Sequence, residues 1–230
     1  MLSVKGRWRN GSALHSHCRG WEFKSPPVHM IKNIIFDLGG VILTHKKTLT
    51  EDILTDIFPS IKDKAFLFYT EKKRLIRTGK ITSDEFLASL IKELGSSIDL
   101  PTLKKAWIDE YKRVAHIDNK ILKLVDTLSK KFHVYLFTDT IDIHDEYNSK
   151  RDIYSHFKRV FKSYEEGLIK PDVKAFENVL QKIKAKPDEC IFIDDLEENV
   201  MAAQSIGMIG IIYTDIKQLR NSLFTVGVST

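Results

Sequence analysis

Cysteine is scarce in this sequence, with Cys18 and Cys190 as the only two among 230 residues. That excludes a disulfide framework and a cysteine-based zinc site, and makes a reducing cytoplasm the expected compartment. No apolar run approaches the roughly 20 residues needed to span a bilayer. The N-terminus also lacks the apolar stretch of a secretion signal, so no membrane partner is expected. Internal repeats and low-complexity segments are missing as well. What is present, 43% apolar and 29% charged residues, is the composition of an ordered globular protein. The length fits one large domain, or one domain with an insertion.

The excess charge is confined to one end. Of the net +5, residues 1–29 carry +4, through Lys5, Arg7, Arg9, Arg19 and Lys24 against Glu22. The same 29 residues hold two of the three Trp, three of the eight His and Cys18, without helical or strand periodicity. The stretch "RWRNGSALHSHCRGWEFKSPPVH" resembles the peptide made when a transfer-RNA gene is read as coding sequence. Translation is therefore expected to start at Met30, directly before the first apolar run. As a real segment, the leader would be a basic, aromatic arm able to touch nucleic acid. Without it no nucleic-acid partner is expected, and spacing assigns no oligomeric state.

From Met30 onward short apolar runs alternate with longer amphipathic ones. "NIIFD", "HVYLFTD", "CIFIDD" and "MIGIIYTD" read as strands buried on both faces, since their apolar residues run nearly unbroken. "DNKILKLVDTLSKK", "DVKAFENVLQKIK" and "EENVMAAQSIG" read as helices. This alternation predicts an α/β fold, a parallel sheet flanked by helices, with ligands bound beyond the carboxyl ends of the strands. Between the first strand and the rest the text reads as helix after helix, with a capping box at Thr82 and Glu85 and a stop at Gly95. The expected division is a leader at 1–29, an α/β core at 30–46 and 116–230, and an all-helical insertion at 47–115.

Four pieces at strand ends carry chemistry. Asp37 in "FDLGGV" offers a carboxylate that can attack phosphorus, and the following "LGG" lets the backbone turn and aim N–H groups at phosphate oxygens. Thr138 in "LFTDT" offers a hydroxyl to a phosphoryl oxygen. Lys170 in "GLIKPD" offers positive charge to a transferring phosphoryl group, with Pro171 expected in the first turn of the next helix. Asp194 and Asp195 in "FIDDLEENVMAA" repel one another unless a cation such as Mg²⁺ joins them. Each piece alone has a plainer explanation, such as a strand-closing threonine or acids favoured at a helix start.

Taken in order, "FDLGGVIL", "LFTDT", "GLIKPD" and "FIDDLEENVMAAQSIGM" resemble the haloacid dehalogenase-like hydrolase superfamily over about residues 30 to 215. The resemblance implies a Rossmann-like core with a helical cap, and Mg²⁺-dependent hydrolysis of a small phosphorylated metabolite, a sugar phosphate for example, through an aspartyl-phosphate. It implies Asp37 and Lys170 as catalytic residues. Leu38, Gly39, Thr138, Asp139 and Lys170 would bind phosphate, and Asp37, the Gly39 carbonyl, Asp194 and Asp195 would hold the metal. Asp195 would be the direct ligand and Asp194 its helper.

The chain departs from the family at Gly39, where a second carboxylate usually protonates the leaving oxygen, a contribution of about 10²–10⁴-fold. Asp139 or a residue of the insertion could replace it. His45 and His144 read more plainly as solvated loop or helix histidines. Phe66, Phe68, Tyr69 and Trp107 read either as pocket-lining residues or, more commonly, as packing between helices. Two further functions stay open: a 2-haloacid dehalogenase, for which the Asp194–Asp195 pair has no use, and a catalytically weak relative that binds phosphorylated ligands.

Overall fold

The computed structural model describes residues 30–44 and 49–229. The leader and His45 lie outside the described residues. The described chain opens with β1 (Asn33–Phe36) and, after a tight turn, β2 (Leu43–Thr44). Helices α1 (Leu49–Ile57), α2 (Lys62–Arg77), α3 (Ser83–Leu94) and α4 (Leu100–Val114) follow. Then β3 (His116–Ile117) returns antiparallel to β2, pairing Leu43 with Ile117 and Thr44 with His116. The short ribbon β2–β3 therefore carries the chain out to the helical segment and back.

The remainder alternates helix and strand. It runs α5 (Asn119–Ser129), β4 (His133–Thr138), α6 (Asp142–Asn148), β5 (Arg159–Lys162), α7 (Ser163–Glu166) and α8 (Val173–Ile183). It closes with β6 (Cys190–Asp194), α9 (Glu197–Ser205), β7 (Ile209–Ile212) and α10 (Ile216–Thr225). Five strands form one parallel sheet in the order β5-β4-β1-β6-β7. The α/β class read from the sequence is the observed one. Among the described residues, no helix is long and apolar enough to cross a membrane.

Alternating side chains send the strands' apolar residues to opposite faces, and both faces are covered. On one, Ile34, Phe36, Leu136 and Ile193 pack with Leu124 and Leu128 of α5 and Leu219 and Leu223 of α10. On the other, Ile35, Tyr135, Phe137 and Phe192 pack with Phe176 and Val179 of α8 and Ala203 of α9. Burial on both sides is why these strands read as continuous apolar runs. The edge strand β5 has only Phe161 fully buried, with charged Arg159 and Lys162 at its ends, so its sequence carries no such signal.

Local signals in the helical segment hold. The Thr82 side chain accepts from Glu85 N while the Glu85 carboxylate accepts from Thr82 N, and Gly95 ends α3 in the left-handed conformation. Pro171 differs from expectation. It follows a cis peptide bond and precedes α8, which starts at Val173 with Asp172 at its N-cap position and no side-chain capping bond.

Three aromatic rings tie the second face together: Phe176 meets Phe137 at 5.5 Å and Phe192 at 5.1 Å, edge to face in both cases. Phe176→Ala is expected to cost about 3–5 kcal/mol in urea denaturation, because the ring is fully enclosed and leaves a cavity. A loss under about 1 kcal/mol would show that this face repacks freely.

Candidate active site

Strand register brings the distant motifs to one place. Phe36 of β1 pairs with Leu136 of β4 on one side and with Ile193 of β6 on the other. The next residues, Asp37, Phe137 and Asp194, therefore lie level at the carboxyl edge of the sheet, with Thr138 and Asp195 one step beyond. The loop before α8 delivers Lys170 into the same point. Its Nζ donates to Asp37 Oδ1 at 2.7 Å, Asp194 Oδ2 at 2.6 Å and the Phe137 carbonyl at 3.3 Å. All three ammonium donors thus have protein acceptors. The rings of Phe137 and Phe192 flank this nitrogen at 5.2 and 5.4 Å.

Asp194 is fully buried and multiply bonded. Besides Lys170, it accepts from Leu196 N at 2.9 Å and from Asn199 Nδ2 at 3.1 and 3.0 Å. Oxygen atoms of Asp37, Asp194 and Asp195 lie within 4.8 Å of one another. Burial pushes the Asp37 carboxyl up to about 8, with Asp194 and Asp195 adding to the rise against the pull of Lys170. Asp139 is also raised by burial, opposed by Lys170 and Arg77, and it accepts the Lys170 backbone N–H at 3.2 Å.

These residues open onto a cavity of about 420 Å³. Leu38, Gly39, Thr138, Asp139, Lys170 and Asp195 line it on the sheet side. Among the described residues, the backbone N–H groups of Leu38 and Gly39 and the Thr138 hydroxyl have no protein acceptor or donor partner. Gly40 makes the turn possible: its φ is +75°, and a Cβ there would overlap the Asp195 carboxylate.

The opposite wall comes from the helical segment. Phe66, Tyr69, Thr70, Lys73 and Arg77 of α2 all line the cavity, recurring every three or four residues as one helix face does. Among the aromatics, Phe66 and Tyr69 line the cavity, whereas Phe68 and Trp107 pack against Phe86 at 5.8 and 6.1 Å. Trp107 still reaches the site indirectly, because its indole N–H donates to His144 Nε2 at 2.8 Å.

His144 departs from the sequence reading. It is not solvated but buried in the cavity wall, stacked on Tyr111 at 4.0 Å. Since Nε2 accepts, the ring proton sits on Nδ1. Burial, aided by the nearby Arg77 charge, pushes this imidazole down to about 3. Arg77, Asn199 and Tyr111 were absent from the sequence reading; Arg77 lies on the α2 face that lines the cavity.

A known-family pattern, haloacid dehalogenase-like hydrolase, matches residues 31–207. The chain belongs to the haloacid dehalogenase-like hydrolase family. It is 33% identical over 190 residues to the sesquiterpene phosphatase astK of Aspergillus oryzae, spanning 80% of this chain and 90% of that protein. It is 26% identical over 187 residues to the D-ribitol-5-phosphate phosphatase of Bacteroides thetaiotaomicron, spanning 77% and 89% respectively. A solved HAD family enzyme from Bacteroides thetaiotaomicron matches this hydrolase with a TM-score of 0.72 and 26% identity, over 83% of this chain and 98% of that one. That enzyme has also been solved in complex with magnesium and inorganic phosphate.

Two outcomes test the site as built. Gly40→Ala is expected to cost about 1–2 kcal/mol from the left-handed backbone alone, and more once Asp195 is displaced. An unchanged urea midpoint would contradict the turn. For His144, the folded value of about 3 lies below the ordinary 6.5. Its stabilising contribution is therefore whole above pH 6.5 and is lost as pH falls toward 3. This hydrolase should lose roughly 2 kcal/mol through that group between pH 6.5 and pH 5. His144→Gln should lack that portion, and equal pH slopes for both proteins would count against a buried neutral imidazole.

Proposed function

We propose that this hydrolase is a Mg²⁺-dependent phosphatase for a small phosphorylated metabolite, with Asp37 as the nucleophile. The observation that carries the reading is the Lys170 ammonium held between Asp37 and Asp194 in the wall of a cavity lined by idle phosphate donors. Phosphoryl transfer depends chiefly on positioning and on charge stabilisation, and this arrangement supplies both. The phosphatase relatives and the magnesium–phosphate complex of a similar enzyme support it.

In the proposed reaction an Asp37 oxygen attacks phosphorus, giving an aspartyl-phosphate that water then hydrolyses. Lys170 fixes Asp37 through Oδ1 and supplies positive charge beside the phosphoryl group. Direct contact of Lys170 with a phosphoryl oxygen would exchange its longest bond, that to the Phe137 carbonyl. The Leu38 and Gly39 N–H groups and the Thr138 hydroxyl would hold the remaining phosphoryl oxygens, with Asp139 at their side.

The donor set fits a hard dication. Asp37, Asp194 and Asp195 bring three carboxylates within 4.8 Å and Lys170 returns a single positive charge, so the cluster favours an oxygen-loving divalent ion. Asp37, Asp195 and the Gly39 carbonyl would hold Mg²⁺, with Asp194, already bonded by Lys170 and Asn199, in support. Bound there, the ion would add positive charge at the phosphoryl oxygens and keep Asp37 ionised. The 47–115 helices would act as a cap whose side chains select the substrate, and the cavity suits a metabolite of sugar-phosphate size.

The dehalogenase alternative gains nothing from the site. The solved 2-haloacid dehalogenase from Pseudomonas syringae is 15% identical with a TM-score of 0.57, a likeness of fold alone. Displacement of halide from carbon also leaves the carboxylate cluster without a purpose.

Hydrolysis of p-nitrophenyl phosphate tests the reading. Turnover is expected only with Mg²⁺ present and is expected to fall by about 10³-fold or more in Asp37→Asn. Turnover that ignores both the metal and the mutation would refute it.

A further inference from the structure

Arg77 lines the cavity and has no part in the reaction proposed above. Several cations on the helical segment have carboxylate partners: Arg74, one turn earlier, pairs with Asp172 at 2.6 Å, Lys104 with Asp84 at 2.6 Å, and Arg113 with Glu110 at 2.6 Å. Among the described residues, no carboxylate oxygen lies within ion-pair distance of the Arg77 guanidinium. The Tyr69 side chain lies near it, and the charges of Asp139 and Asp37 act on it. A guanidinium in a partly enclosed cavity without a counter-ion is a site for an anion.

Position says which anion. In an in-line displacement the leaving oxygen departs on the side of phosphorus away from the nucleophile. Asp37 sits on the sheet side, so the departing group faces the α2 wall, where Arg77 projects. Gly39 has no side chain to protonate that oxygen, and the described imidazole of this wall, His144, is a neutral ring carrying its proton on Nδ1, while Tyr69 and Lys73 line the wall beside Arg77.

We propose that Arg77 stabilises the negative charge on the departing oxygen, and so replaces by charge the acid that Gly39 lacks. The inference rests on the phosphatase reading above. As the bond from Asp37 to phosphorus forms, the ester P–O bond breaks and its electron pair goes to the ester oxygen. That oxygen leaves as an oxyanion against the guanidinium and takes its proton afterwards from solvent water. Preorganised donors aimed at developing charge are typically worth about 10²–10³-fold.

The test is kcat/KM over a series of aryl phosphates, from p-nitrophenyl to p-methylphenyl phosphate, with Mg²⁺. The proteins are wild type, Arg77→Ala, Arg77→Lys, Asp139→Asn and Asp37→Asn. Arg77→Ala should lose about tenfold more on the p-methylphenyl ester, whose oxygen leaves reluctantly, than on the p-nitrophenyl ester, and Arg77→Lys should fall between. Retained turnover of the p-nitrophenyl ester shows that the variant is folded. An equal loss on every ester would make Arg77 a binding residue and overturn the proposal. So would a leaving-group dependence that appears in Asp139→Asn instead, which would make Asp139 the acid. Wild-type turnover that Asp37→Asn does not abolish is a different failure, that of the phosphatase reading itself.

Discussion

At the carboxyl edge of the sheet a single ammonium, that of Lys170, keeps two buried carboxylates 2.7 and 2.6 Å away from its nitrogen. Removing charges from water costs several kcal/mol per ion, and attraction offsets that cost only when the remaining donors and acceptors are also satisfied. Asp194 and Lys170 meet that condition: Asn199 and the Leu196 N–H complete Asp194, and the Phe137 carbonyl takes the third Lys170 proton. The rings of Phe137 and Phe192 exclude water around the ammonium and present their faces to it. Such a cluster persists only on a rigid base. The five-stranded sheet, packed on both faces, provides one.

Sheet order explains why the cluster forms at β1. Its neighbours β4 and β6 lie on opposite sides of it, and the chain crosses back over β1 between β5 and β6, so the loops after β1 and β6 diverge and leave a crevice between them. Asp37, Thr138 and Asp195 each end one of those strands. Close approach of the first and third loops needs Gly40, whose missing Cβ leaves room for the Asp195 carboxylate. The sequence spends its glycine where two backbones must nearly touch.

Features set by local or periodic physics were legible in the sequence. The doubly buried strands show as unbroken apolar runs, the α3 cap as Thr82 with Glu85, and the acidic pair as a repulsion that calls for a cation. What escaped depends on tertiary placement. The half-exposed edge strand β5 has too little apolar text to stand out. His144 looks like any polar helix residue until Trp107, 37 positions away, is seen to donate to it. Arg77 sits among other basic residues of α2, where the sequence alone gives no reason to choose it over Arg74. Folding separates them: one finds Asp172, and the other turns to the cavity.

That separation bears on the missing carboxylate at Gly39. An acid at that position would lie beside Asp37, Asp194 and Asp195 and add a fourth ionisable carboxyl to a cluster already crowded with like charge. On the proposed reading, leaving it out lowers the repulsion that Lys170 and a bound dication would balance. The help proposed for the leaving oxygen then comes from across the cavity. On the proposed reading the two walls then carry opposite signs, carboxylates on the sheet side and the Lys73 and Arg77 cations of α2 on the other. An oxygen that gains negative charge as it departs is repelled by the first wall and drawn to the second. The field that holds the phosphoryl group and the field that draws off the leaving group thus come from separate parts of the chain. Substitutions in α2 can alter which esters are cleaved while the Lys170 cluster stays intact.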